Sequence, residues 1–567
     1  MSKRAAVPIV VGLLIALTVF LMGVAVAPQQ RIFINGTVLT MNPQNSIAQA
    51  VSIRGGVIEA VGSNQEIRQL IDADSRITDL QGKTLIPGFI DAHSHFPVSG
   101  LNAISADLSP PPIGKTGTID QLLDKIHQRS ETTSPGEWIL GFGYDDSSLA
   151  EQRHPTRQEL DAISSEHPVY LWHSSGHMGV ANSAALTKIG IDEETPNPPG
   201  GVIGRDAGTG IFNGLLQENS ALSLNTLISD FSVIDYYRVF QHATDEYASN
   251  GITTAQSGGV GLSLTRALYW ASQFGQLPFR LVVFPKHQDF GRQLLNGELD
   301  RSDFDSERFY LGPVKLIADG SVQGRTAFLR EPFYQNTLED PDYRGFAAID
   351  PSQLNSTVMA YHQAGFQLAI HGNGDAGIDT ILRAFEAAQQ AFPVDDPRLI
   401  LVHAQMARND QLERMQQLGI TPSFFPSHTY FWGDQHLARF MGPIRGAVMS
   451  PTGSARDIGL KFSVHTDAPV TPIDPMQLLW STVNRESSSG QLIGAEQRIS
   501  VIQALRAMTI DAAWQVFQEH NRGSIERGKF ADLVILSGNP LENPRDIRQL
   551  NVLETIVAGK TVYQSGE

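Results

Sequence analysis

Two histidines one residue apart, His93 and His95, stand at the end of the apolar stretch PGFIDAHSHF at residues 87–96. In an extended strand, residues i and i+2 face the same side, so this spacing can present two imidazoles to one ion. Alone the pair is weak in a chain with 16 histidines. Four further polar residues strengthen it. His371 ends the run Gln367–Ile370, His403 ends Leu399–Val402, Asp467 follows Phe462–Thr466, and Lys315 lies inside Val314–Asp319. Polar groups on strand ends are costly to bury unless paired or metal-bound. Four histidines and one aspartate in such positions point to a metal site. The chain has no cysteine, so thiolate-held zinc, iron–sulfur clusters, thiolate nucleophiles and disulfides are excluded.

The elements that must carry these residues are eight strand-like apolar runs. They are Leu85–Ile90, Ile252–Gln256, Phe279–Phe284, Val314–Ala318, Gln367–Ile370, Leu399–Val402, Ile420–Phe424 and Phe462–Val464. Helical patterns such as Ile378–Ala391 and Asp410–Leu418 lie between several of them. Alternation of this kind predicts an α/β fold with a parallel sheet, and eight runs suit a (β/α)8 TIM barrel, whose C-terminal strand ends converge on one mouth. The stretch from about 100 to 250 breaks the rhythm with Pro110-Pro111-Pro112 and Pro198-Pro199-Gly200-Gly201, and is expected to be a large insertion. Short β-segments with Asn-Gly and Gly-Gly turns fill residues 31–85, and the same character returns at 523–567. The two ends are expected to build one small β-sandwich around a barrel at 86–522.

Residues 1–30 read as an export segment. Lys3 and Arg4 precede a run from Ala5 to Ala27 without charge, and Arg31 follows it. About 20 apolar residues suffice to cross a bilayer as a helix. A cleaved signal peptide would end at Ala25-Val26-Ala27, but Pro28 is unfavourable after the cut, which favours an uncleaved membrane anchor. Either way the rest is expected to be exported: anchored facing the periplasm or outside, or secreted or periplasmic if cleaved. The 59 acidic against 42 basic side chains give a net charge of −17. Such a polyanion makes a poor partner for nucleic acid, and membrane contact is expected through the N-terminal segment alone. A homodimer is the candidate assembly.

The motifs PGFIDAHSHF (87–96), KLIADGSVQGRTA (315–327), HGNGDAGID (371–379), VHAQ (402–405), HTDAPVTPIDP (465–475) and GSIERGKFADLVIL (523–536) together resemble the amidohydrolase superfamily. The resemblance is greatest to the amidohydrolase family 3 branch, which contains N-substituted formamide deformylase, and runs from about residue 31 to about 563. It implies a metal-dependent hydrolase of non-peptide amides on a distorted barrel. It assigns His93, His95 and Asp467 to the more buried ion and His371 and His403 to a second. Lys315 would be carboxylated and bridge both, which turns a repelling cation into a bidentate anion; the alternative is an unmodified lysine beside a single ion. The divalent metal would be zinc, one or two ions, given imidazole and carboxylate ligands. Metal-activated water would attack the carbonyl, with Asp467 as general base and then general acid.

Weaker candidates surround this set. Tyr144, beside Asp145 and Asp146, and His177, near His173, belong to the insertion and match the substrate pocket of the resembled branch. Arg325 could grip a substrate carboxylate. Asp375 is read as the cap of the helix that follows it. His465, two residues before Asp467, stays unassigned and is expected to point away. Among rival readings, Gly372–Gly377 matches G-x-G-x-x-G, but the next strand ends in His403 where a dinucleotide site needs an acid. A deaminase would need a glutamate soon after His371, where the chain has Asn373 and Asp375. A lactone or ester hydrolase on the same barrel, and a catalytically inactive exported binding protein, complete the alternatives.

Overall fold

The computed structural model describes residues 30–221, 231–336 and 340–566. The export signal or anchor expected at residues 1–30 therefore lies, but for Gln30, outside the described residues. Among the described residues no helix is long and apolar enough to cross a membrane.

The chain is α/β, with two parallel sheets at its centre. One orders the strands Phe309–Leu311, Arg280–Pro285, Ile252–Val260 and Phe89–Ser94; the other orders Val314–Ile317, Leu368–Gly372, Leu399–His403, Ile420–Phe424 and Ser463–Val464. Nearly every residue of these strands is buried, as expected of parallel strands covered by helices on their outer face. The helices follow their strands directly. Asp375–Ala391 presents Ile378, Ile381, Leu382 and Phe385 inward at helical spacing, and Asn409–Leu418 ends on Gly419, at φ 66°. The sheets touch at two places. Lys286 and Lys315 form a parallel bridge, and the Asp467 N–H donates to the His93 carbonyl at 3.1 Å.

The run expected as one strand over 85–90 is two. Thr84–Pro87 pairs antiparallel with Leu533–Leu536, and Phe89–Ser94 opens the parallel sheet. The break falls at Gly88, where a Cβ would come within 2.1 Å of Thr253, so only glycine fits between the two pairings.

The chain ends build two further sheets, the first from the N-terminal part alone and the second from both. One runs Val57–Gly62, Ala50–Arg54, Gln30–Ile34, Arg76–Asp79; the other Lys560–Gln564, Val552–Val557, Leu533–Leu536, Thr84–Pro87, Thr37–Leu39, Ile47–Ala48. Phe33, Val51, Leu85, Leu533 and Ile556 share one apolar cluster between them. A buried ion pair ties this region to the parallel sheets: Arg280 Nε donates to Asp532 at 2.7 Å.

The stretch 100–250 holds a six-stranded mixed sheet that its prolines concealed: Gly201–Arg205, Phe212–Glu218, Met178–Ala181, Val169–His173, Ile139–Tyr144, Ala106–Asp107. It has apolar clusters of its own, one around Tyr170 and Trp172 and another around Leu108 and Leu122.

Candidate metal and substrate site

His93 is the fifth residue of Phe89–Ser94, and His95 follows that strand directly. His371 and His403 occupy the C-terminal ends of adjacent strands, with Gly372 paired to His403. Asp467 comes three residues after Ser463–Val464 ends. These strand ends bring five of the six expected ligands to one cavity of about 410 Å³, and Lys315 reaches it from within Val314–Ile317. A larger cleft of about 910 Å³, between the sheets formed by the chain ends and residues Ser306–Arg308, gathers none of the six.

Inside the cavity, His95 Nε2 and His93 Nε2 lie 3.3 and 3.6 Å from Asp467 Oδ1, and His403 Nε2 lies 4.0 Å from Asp467 Oδ2. Lys315 Nζ is 3.1 Å from His93 Nε2, and His371 Nδ1 is 3.1 Å from His403 Nε2. Burial pushes His93, His371 and His403 well below the usual imidazole range, and neighbouring positive groups push the same way. Burial also brings the Lys315 ammonium down to about 7, with Asp467 opposing. His93 Nδ1 and Asp467 Oδ1 are buried and lack a hydrogen-bond partner. Neutral imidazoles crowded nitrogen to nitrogen around an unsatisfied carboxylate oxygen are poor neighbours by themselves. They fit a divalent cation.

The backbone is strained at two of these positions. His403 (φ 71°) and Asp467 (φ 55°) occupy the left-handed region, at a cost of about 1–3 kcal/mol each for a residue with a side chain. Thr466 beside Asp467 is held by Asp91, which accepts from Thr466 Oγ1 at 2.7 Å and its N–H at 3.1 Å. Burial lifts Asp91 to about 7, against these bonds. Gly258 lies against His93, and a Cβ there would meet the ring at 2.2 Å.

Three residues that the sequence did not assign complete the surroundings. His465 does not point away: its Nε2 is 3.0 Å from His403 Nδ1 and its Nδ1 is 2.9 Å from Ser423 Oγ. It thus fixes the ring of a candidate ligand from behind. Asn373 Nδ2 contacts His371 Nε2 at 3.1 Å. Glu218, at the end of an insertion strand, holds His177 Nδ1 at 2.8 Å. Burial lowers the His177 imidazole, but the Glu218 carboxylate outweighs it and leaves it raised. His465 carried the same signal as the expected ligands, a histidine just past an apolar run. Glu218 carried none.

The other expected residues fall as follows. His177 lines the cavity, with its ring centroid 5.0 Å from that of His371. Tyr144 and Arg325 are not among the residues lining the cavity. The Tyr144 hydroxyl sits 3.1 Å from His154 Nδ1 in a fully buried position. Arg325 donates to the Gln335 carbonyl and packs over Phe333 and Phe440. Asp145, Asp146 and His173 form a separate group close enough to hold an ion. Asp145 is already occupied there by the Ser147 and Trp432 donors. Asp375 is the first residue of its helix, not the cap; it accepts from the Arg330 N–H and from Arg408.

A model of the amidohydrolase family matches residues 76–563. The chain is 32% identical over 556 residues to N-substituted formamide deformylase of Arthrobacter pascens, spanning 94% of this chain and 98% of that protein. It is 30% identical over 543 residues to the protein LONG AFTER FAR-RED 3 of Arabidopsis thaliana, spanning 93% and 91%. Among solved structures, an uncharacterized metal-dependent hydrolase from Pyrococcus horikoshii OT3 matches with a TM-score of 0.72 and 25% identity, over 91% of this chain and 99% of that one.

Proposed function

The chain belongs to the amidohydrolase family, and on that premise we propose that it hydrolyses small non-peptide amides at the His93–His95–Asp467 end of the cavity. It is an enzyme, a hydrolase acting on carbon–nitrogen bonds other than peptide bonds. The observation that carries the site is the convergence of His93, His95 and His403 on one carboxylate whose Oδ1 lacks a hydrogen-bond partner, with His371 against His403.

His93, His95 and Asp467 would hold one divalent ion, and His371 with His403 a second. Zinc suits this donor set. When bound, such an ion polarises a carbonyl oxygen and lowers the pKa of a water to about 7. Asp467 takes the proton released by the attacking water and returns it to the leaving nitrogen. Lys315, brought to about 7 by burial, presents a neutral amine near physiological pH. That is the form that adds carbon dioxide with release of a proton, and the resulting carbamate would give the site an anionic ligand in place of a cation. His177, held from behind by Glu218, directs its other nitrogen at the substrate.

The parallel sheets are read as parts of one distorted (β/α)8 barrel at 86–522. The Lys286–Lys315 bridge and the Asp467–His93 backbone bond between the two sheets support this. Residues 31–85 and 523–567 form the β-sandwich, and the segment before residue 31 exports the whole.

Metal analysis of the purified chain, with a screen of N-formyl, N-acyl and cyclic amides, tests the reading. We expect bound divalent metal at one or two equivalents and turnover of at least one amide class. Absence of stoichiometric metal would favour an inactive binding protein. Turnover of lactones or release of ammonia from aminated rings, with no amide cleaved, would replace the reaction and keep the site.

A further inference from the structure

Lys286 lines the same cavity as the histidines and takes no part in holding metal or moving protons there. It follows the strand Arg280–Pro285 directly, at its C-terminal end. It forms a parallel bridge with Lys315, and ladder partners present their side chains to the same face of a sheet. Lys315 reaches His93, so Lys286 stands on the reacting face. It is half-buried, and among the described residues its ammonium meets no carboxylate, hydrogen-bond acceptor or aromatic ring. The two carboxylates that line the cavity are engaged elsewhere, Asp467 with the histidines and Glu218 with His177.

The backbone beside Lys286 adds to the same sign of charge. Its N–H donates to the Val260 carbonyl at 3.0 Å, which seats it next to Gly261, the cap residue of helix Leu262–Gln273. Gly261 offers no side chain to cap the helix and lines the cavity. The first-turn N–H groups and the positive end of the helix dipole therefore lie at the same wall. In a chain of net charge −17, an ammonium without a counter-charge inside the substrate cavity calls for an anion that the substrate brings. We propose that Lys286 binds a carboxylate of the substrate while the scissile carbonyl rests among the histidines. Neighbouring strands lie about 4.8 Å apart, so the substrate class is a small amide with a carboxylate a few bonds from the reacting carbon. This rests on the amide hydrolase reading for the carbonyl end; the carboxylate subsite rests on Lys286 and the cavity it shares with the histidines.

Hydroxamates separate the two, because they grip a bound metal ion without turnover. Succinic and glutaric monohydroxamates carry the carboxylate on the acyl side, and N-formyl-N-hydroxy-β-alanine carries it on the amine side. Binding of each to the full, metal-loaded chain is measured by titration calorimetry against a neutral twin with a methyl group in place of the carboxylate. A charge-assisted hydrogen bond should favour at least one anion over its twin by about tenfold or more. Lys286→Met should erase that ratio with metal content retained, and Lys286→Arg should keep most of it. No anion preferred by the parent chain, or a preference that survives Lys286→Met, overturns the proposal. Cleavage of amides without such a ratio would keep the reaction and reject the subsite. The ratio in a chain that cleaves no amide would keep the subsite and reject the reaction.

Discussion

Asp467 bears the heaviest chemical demand of any side chain in the cavity, because its two oxygens face three histidines. General acid–base catalysis contributes about 10²–10⁴-fold, so Asp467→Asn should lower kcat by at least about 100-fold. Metal content should fall far less, since His93 and His95 remain. Near-normal turnover in the variant would remove the proton-transfer role. Lys315 makes a separate prediction. Burial takes it from 10.5 to about 7. Between those values the unfolded chain binds a proton that the folded chain does not, so the penalty on folding eases as pH rises. Metal-free Lys315→Met should therefore be more stable than its parent at pH 6, and the gain should shrink towards pH 10 in denaturant titrations. In the metal-loaded parent, ¹³C-bicarbonate should yield a carbamate resonance that Lys315→Met lacks.

Elements, more than residue types, decide which of these groups meet. Gly258, inside Ile252–Val260, leaves room for the neighbouring His93 ring. Gly258→Ala would push against an imidazole that is 1% exposed and cannot swing away. We expect the folded variant to lose at least half its metal, read by elemental analysis. The strand ends bearing His93, His371 and His403 were legible because each closes an apolar run, and parallel strands deliver their ends to one side. His465 was not legible as a partner of His403, because which histidine packs behind another depends on tertiary contact and not on spacing. The strand stops at Val464, and beyond it Asp467 reaches the cavity while His465 sits between His403 and Ser423, behind the ligand ring. Glu218 was illegible for another reason. It reaches His177 through antiparallel pairing between Met178–Ala181 and Phe212–Glu218, and no local pattern records which strands of an insertion will pair. Tyr144 stood next to plausible site residues in sequence. It ends a strand whose side chains alternate, and its own side belongs to the insertion core.

At the scale of the whole molecule, the ion and the scaffold should stabilise one another. Ligand binding to the folded state adds RT ln(1 + [L]/Kd), about 4 kcal/mol at a thousandfold excess over Kd. Chelation should lower the melting temperature, and re-addition of zinc should restore it; an unchanged melting curve would mean that the histidines hold no ion. The Arg280–Asp532 pair joins the parallel sheets to the sheets made by the chain ends, with Arg280 fully buried. Arg280→Met would strand the Asp532 carboxylate at a cost of about 3–5 kcal/mol, measurable as a lower midpoint in denaturant.

That same junction sets a timetable for biosynthesis. Thr84–Pro87 cannot acquire its partner on one edge until Leu533–Leu536 has been made, and the strands of both parallel sheets are translated first. An early segment must therefore wait, unpaired along that edge, through most of the chain's synthesis. A ribosome that stops before residue 533 releases a product in which Thr84–Pro87 stays open along that edge. Such a chain advertises its own incompleteness to proteases and chaperones. The folded chain, by contrast, hides an early and a late segment in one seam.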